Sequence, residues 1–274
     1  LYDGEFNPLQ VMAKARRQHI TVMGGTPTFF YHLCMLAARS PQPLALRSAA
    51  VSGECMTPAV ARRMRAALPD TAIYNVYGLT EASPRVCYLP PDRFDGSPCS
   101  VGRALASLEL RISDEDGGAL SPGEAGELLV RGPSLMKGYY RQPEQTARAL
   151  RDGWLHTGDI ATMDAEGFVT IHARRDNLII RAGMNIYPGE IENALQQDAA
   201  VKEVLAYGVR EGVSQRIAMK VVMADPSATK ADFLAVCQRR LPSYQRPDIV
   251  ELTSRLERNG SGKLIRPKTG APVE

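Results

Sequence analysis

Lys263 in "RLERNGSGKLIR" follows a Gly-Ser-Gly triplet, and a lysine presented by glycines is suited to meeting a phosphate. The phosphate-cradling loop G-x-x-x-x-G-K-[ST] needs a glycine five positions before Gly262 and a hydroxyl residue directly after the lysine. Those positions hold Glu257 and Leu264, no apolar strand runs into the glycines, and no long helix follows them. That reading is excluded. Two other stretches set polar residues beside a glycine at the end of an apolar run. In "NVYGLTEAS", Tyr77 offers an aromatic face for a purine, Thr80 a hydroxyl for a phosphate, and Glu81 a carboxylate for Mg2+. In "WLHTGDIA", Asp159 sits in a turn where its two oxygens can accept both hydroxyls of a ribose. Each stretch alone also reads as an ordinary turn whose polar side chains satisfy nearby amides.

The elements that must position these residues favour a site. From residue 8 to 90, helical spacing in "NPLQVMAKARRQH", "PTFFYHLCMLAARS" and "TPAVARRMRAALP" alternates with β-rich runs in "ITVMGG", "LRSAAVSGE" and "TAIYNVYG". Strands separated by helices imply parallel pairing, hence an α/β layer over about 1–97. Ligands of open α/β sheets lie outside the carboxyl ends of the strands, where "NVYGLTEAS" falls. From about 98 to 175 the runs "ELRISDEDGGAL", "GELLVRG" and "GFVTIHA" have period two and turn-rich separators, which predicts an antiparallel, barrel-like layer. Residues 176–274 read as a smaller α+β domain: helix in "EIENALQQ", strands in "VKEVLAYGV" and "QRIAMKVVMA", and a helix in "TKADFLAVCQRRLP" stopped by Pro242.

Composition narrows the function classes. A net charge of +3 with no Lys/Arg block argues against a nucleic-acid surface, and no apolar run is long enough to span a membrane. Five cysteines (Cys34, Cys55, Cys87, Cys99, Cys237) without a C-x-x-C form neither a disulfide framework nor a zinc site, and suit a reducing, cytoplasmic setting.

Seven stretches, "SGECM", "NVYGLTEAS", "GELLVRGPSLMKGYY", "WLHTGD", "ARRDNLIIRAGMNIYPGEIE", "LPSYQRP" and "NGSGK", occur in an order that resembles the adenylate-forming (AMP-binding) superfamily of acyl- and aryl-CoA synthetases, luciferase-like ligases and peptide-synthetase adenylation domains. The resemblance covers nearly the whole chain. It implies ATP and Mg2+ as cofactors, a carboxylic acid as substrate, and CoA or a carrier protein's phosphopantetheine arm as acceptor. It implies that Gly53, Glu54 and Cys55 line the adenine pocket, that Asn75 and Gly78 belong to the cofactor-binding set, that Tyr77 stacks on adenine, that Thr80 meets the α-phosphate and that Glu81 holds Mg2+. Asp159, helped by Arg174, would bind the ribose. Asp176 would be the hinge of a mobile C-terminal domain, Gly183 would line the thiol tunnel, and Lys263 would complete the adenylation site. Two anions must meet when a carboxylate attacks the α-phosphorus, and an ammonium on a flexible stem suits the developing charge. That lysine would block the thiol, so rotation about Asp176 would replace it with the Gly183 face.

Departures from the family pattern are few. Its Ser/Thr/Gly-rich loop ending in Pro-Lys does not occur in these residues, so the resemblance implies a chain that starts partway through the large domain and adenylates poorly alone, with the preceding part of the same enzyme as a partner. Ala173, Ala182 and Glu257 replace residues common in the family, and no charged catalytic group is lost. The leading expectation is an AMP-forming acyl-CoA synthetase. The alternatives are a ligase loading a carrier protein and an inactive nucleotide-binding module. The acid itself is not specified by the sequence, although Phe29 and Leu79 favour an apolar group.

Overall fold

A computed structural model describes residues 7–39, 42, 44–181, 183–211, 214–258 and 264–267. The chain divides into two compact units, Leu1–Ile171 and His172–Glu274.

The first unit opens with helix α1 (Pro8–Arg17), strand β1 (Val22–Gly25), helix α2 (Pro27–Ala37), strand β2 (Ser48–Val51), helix α3 (Pro58–Ala67) and strand β3 (Ala72–Leu79). Each helix starts the same way. Asn7, Thr26 and Thr57 accept backbone N–H groups through their side chains, and a proline takes the first position, where no donor is needed. The three strands pair in parallel, β1–β2–β3, with Gly25, Val51 and Asn75 in register at the carboxyl end. Phe30 and Leu33 of α2 and Met64 of α3 pack on Ile73 of β3 in the core beside this sheet.

Beyond this point the sheet is mixed. Strands β4 (Ser83–Leu89) and β5 (Arg103–Ala104) extend it antiparallel, with the short helix α4 (Pro91–Phe94) between them. The parallel pattern read through residue 90 therefore ends at β3. Pro84 concealed β4, because proline in a strand normally breaks the ladder. Here it lies where the register shifts between Tyr77 and Leu79, and its missing donor costs nothing.

The second layer holds β6 (Glu109–Ser113), β7 (Gly126–Arg131), α5 (Pro143–Ala149), β8 (Leu150–Arg151), β9 (Trp154–Met163) and β10 (Val169–Arg174), in the half-barrel order β10–β9–β7–β6 with β8 pairing β9. Leu128, Val130, Leu155 and Val169 share its core with Val86 and Cys87 of β4.

In the second unit, β11 (Ile179–Arg181) and β12 (Met184–Ile186) form a hairpin, followed by α6 (Pro188–Leu195). A three-stranded sheet of β13 (Val201–Glu211), β14 (Ser214–Met223) and β15 (Ile249–Leu252) packs with α6 and α7 (Lys230–Arg240) around Ile191, Leu195, Ile217 and Phe233. A reciprocal cap between Thr229 and Asp232 starts α7. The fold is thus α/β, a parallel sheet portion and a half-barrel followed by a small α+β unit. Among the described residues no helix is long and apolar enough to cross a membrane.

Candidate functional site

The carboxyl edge of the parallel strands carries most of the expected residues. Past β2, Gly53 takes a φ of 90°, a backbone conformation glycine adopts without strain. Glu54 turns its carboxylate to the start of α2, where Oε2 accepts from the Thr28 hydroxyl at 2.8 Å; Oε1 is buried without a hydrogen-bond partner. Cys55 is exposed. One strand over, Leu79 pairs with Ser83 and so brackets a tight loop of Thr80, Glu81 and Ala82. The loop depends on Gly78: a Cβ there would lie 2.3 Å from the Pro84 carbonyl oxygen. Thr80 is exposed and Glu81 half-buried.

Glu81 is fixed from the half-barrel side. Its carbonyl accepts from the Met136 N–H at 2.7 Å, and its Oε1 accepts from the Tyr139 hydroxyl at 2.8 Å. Sequence reasoning missed Tyr139, although it belongs to the quoted "KGYY". Among the described residues no cluster of three or more His, Cys, Asp or Glu is placed to cage a metal. A lone, oriented carboxylate nevertheless fits Mg2+, which is commonly held by one or two protein carboxylates together with substrate phosphates and water.

Asp159 is not in a turn, contrary to the sequence reading. It lies within β9, in a bulge where Thr157, Gly158 and Asp159 face the single residue Leu128 of β7. The glycine that suggested a turn is the bulge glycine, with a φ of 71°. Asp159 is 6% exposed, and its Oδ2 accepts from the Tyr77 hydroxyl at 2.5 Å. Burial, and after it the charge of Asp159, pushes the Tyr77 phenol well above its usual range, so the oxygen stays protonated and donates. Two residues 82 positions apart are thereby joined: an aromatic ring held beside a buried carboxylate.

Asn75 does not turn toward this group. It is 1% exposed, and its amide donates to the Pro98 and Ser100 carbonyls at 3.2 and 2.8 Å, bracing β3 against the segment before β5. In the second unit, Arg174 ends β10 and Asp176 lies in a 3-10 turn (Arg175–Asn177), both exposed. Gly183 occupies the β11–β12 hairpin with a φ of 78°. Lys263 and Ala182 lie outside the described residues. On either side of residues 259–263, Arg258 pairs with Leu264 in an antiparallel bridge. Arg258 meets Glu203 of β13 at 2.7 Å, and Arg266 grips Glu192 of α6 with both terminal nitrogens, at 2.7 and 3.1 Å.

The AMP-binding enzyme family matches residues 2–140, and the AMP-binding enzyme C-terminal domain matches 190–263. A long-chain-fatty-acid–CoA ligase from Escherichia coli is 42% identical over 191 residues, 69% of this chain and 34% of that protein. Two solved structures share the fold. The amide bond synthetase McbA from Marinactinospora thermotolerans matches with a TM-score of 0.84 at 30% identity, covering 95% of this chain and 53% of that one. The o-succinylbenzoate CoA synthetase (MenE) from Bacillus subtilis, in complex with its acyl-adenylate intermediate, matches with a TM-score of 0.83 at 28% identity, covering 97% and 55%. The chain thus spans about a third of that curated relative and about half of these solved ones. With both family segments matched in order, the chain belongs to the AMP-binding enzyme family.

Proposed function

We propose that the chain serves an AMP-forming acid–thiol ligase of the acyl-CoA synthetase type. A carboxylic acid attacks the α-phosphorus of ATP and pyrophosphate leaves. The thiol of CoA then attacks the acyl carbon and AMP leaves. The observation that carries this reading is the pairing of Tyr77 with Asp159 at the carboxyl edge of the sheet. It sets an aromatic face for adenine beside a carboxylate for the ribose hydroxyls. The long-chain-fatty-acid–CoA ligase and o-succinylbenzoate CoA synthetase relatives support CoA over a carrier protein as acceptor.

In this reading Gly53, Glu54, Cys55 and Gly78 wall the adenine pocket, and Thr80 donates to the α-phosphate. Asn75 acts as a brace for β3, since both its donors are used within the fold. Glu81 holds Mg2+, which when bound neutralises the phosphate charge against which the carboxylate must approach. Lys263 supplies the second positive charge. Residues 176–274 form the mobile domain, Asp176 is its hinge, Arg174 assists at the ribose, and Gly183 lines the thiol approach. The setting is the reducing cytoplasm: three of the cysteines are buried, and none forms a disulfide among the described residues.

Two measurements on the 274-residue chain test the proposal. Calorimetric titration should give saturable AMP binding that weakens about tenfold or more in Asp159→Ala, the loss of hydrogen bonds to a charged acceptor. Supplied acyl-AMP and CoA should yield acyl-CoA, and Lys263→Ala should leave that yield unchanged, since the lysine serves only the adenylation step. AMP binding indifferent to Asp159, or a thioester step that needs Lys263, overturns the assignment.

A further inference from the structure

The bulge that carries Asp159 is not held by β9 alone. On the neighbouring strand, Glu127 is 5% exposed and spends its carboxylate on this irregularity. Its Oε1 accepts from the Gly158 N–H at 3.0 Å, and its Oε2 pairs with His156 Nδ1 at 2.9 Å. These partners flank Thr157, the first residue of the bulge. Thr157 works with Glu127: its hydroxyl donates to the Leu128 carbonyl at 2.7 Å and accepts from the Asp159 N–H at 3.0 Å.

A bulge takes backbone groups out of the ladder, and buried groups taken out must be satisfied elsewhere. A regular β7–β9 pairing continued from Leu129–His156 would set Asp159 opposite Gly126, the place Ala161 takes, so the bulge displaces Asp159 by two positions along the ladder. We propose that Glu127 is a positioning residue for nucleotide recognition: by bonding Gly158 it fixes the bulge that turns the Asp159 carboxylate toward Tyr77 and the ribose. This rests on the ribose role proposed for Asp159. It adds that a second, buried carboxylate decides whether the first can act.

The test compares AMP with 2′,3′-dideoxy-AMP by calorimetry on the full 274-residue chain. The unsubstituted chain should prefer AMP by about tenfold, the contribution of the ribose hydroxyls to a charged acceptor. Glu127→Leu removes both acceptor oxygens and should bring the preference close to one while leaving dideoxy-AMP affinity within about twofold. Glu127→Gln keeps a carbonyl oxygen for Gly158 and should restore most of the preference. Thr157→Val, which removes the acceptor of the Asp159 N–H, should reduce it as Glu127→Leu does, and carries the test if circular dichroism shows Glu127→Leu unfolded. A preference that survives in the substituted chain, or an equal loss of both ligands, overturns the positioning role alone. A preference near one, or no binding, in the unsubstituted chain overturns the ribose assignment, and the role of Glu127 falls with it.

Discussion

Tyr77→Phe probes the contact on which the site turns. The substitution deletes one oxygen and keeps the ring, so packing and any stacking face survive. What goes is a hydrogen bond of 2.5 Å from a phenol to a carboxylate that is 6% exposed. Hydrogen bonds to charged groups contribute about 1.5–3 kcal/mol, and an O–H···O− distance this short belongs to the charge-assisted class. Asp159 keeps its bulge contacts, which favours the middle of that range, about 2 kcal/mol. For a unit of this size each kcal/mol moves the melting temperature by about 2–4 °C, so calorimetry at pH 7 should record a drop of about 4–8 °C. The pH dependence gives a second check. The folded phenol is raised above its unfolded value, so its stabilisation is fully present below about pH 10 and is lost as pH rises further. Phenylalanine has nothing to ionise, so the gap between the two proteins should narrow above pH 10. A variant as stable as the parent at pH 7, or a gap that widens in alkali, would refute the reasoning.

Two further outcomes are expected. Gly78→Ala forces a Cβ against the Pro84 carbonyl, a backbone contact no side-chain rotation relieves; urea denaturation should show a loss of about 1–3 kcal/mol, and an unchanged midpoint would mean the hairpin is not close-packed there. Ellman's reagent should modify exposed Cys55 first, and saturating AMP should slow it. Burial holds Cys34 at about 11 and Cys87 and Cys237 at about 12, so these should react only on unfolding; early modification of any of them would contradict the core described.

Much of this architecture is written locally. Each of the first three helices declares itself by a capping side chain followed by proline, and the strands between them by short runs that end at or near a glycine. Tyr77, Thr80 and Glu81 could be placed at a strand end for the same reason. Asp159 could not, because Thr-Gly-Asp is a turn by local chemistry, and here it lies in a strand where Glu127, 31 positions before Gly158, accepts the N–H that the bulge releases. Asn75 misled differently: it lies in the right strand, but carbonyls more than twenty positions away claim its amide. Tyr139 could be singled out only once Glu81 was seen to be its acceptor. In each case the deciding partner is distant in sequence, and no window of neighbouring residues contains it.

The 82-position span between Tyr77 and Asp159 also bears on how the first unit folds. Leu79 finds Ser83 four positions away, so the β3–β4 hairpin closes locally. Closing the longer span costs roughly 2.5–3 kcal/mol more in chain entropy, and that cost precedes any gain from the contact. Hairpins of this kind form in microseconds, whereas distant pairings wait for the strands between them to be in place. Assembly of the Tyr77–Asp159 pair therefore trails secondary structure during refolding, and a chain with its β-sheet signal restored has yet to bring the Asp159 carboxylate to the phenol.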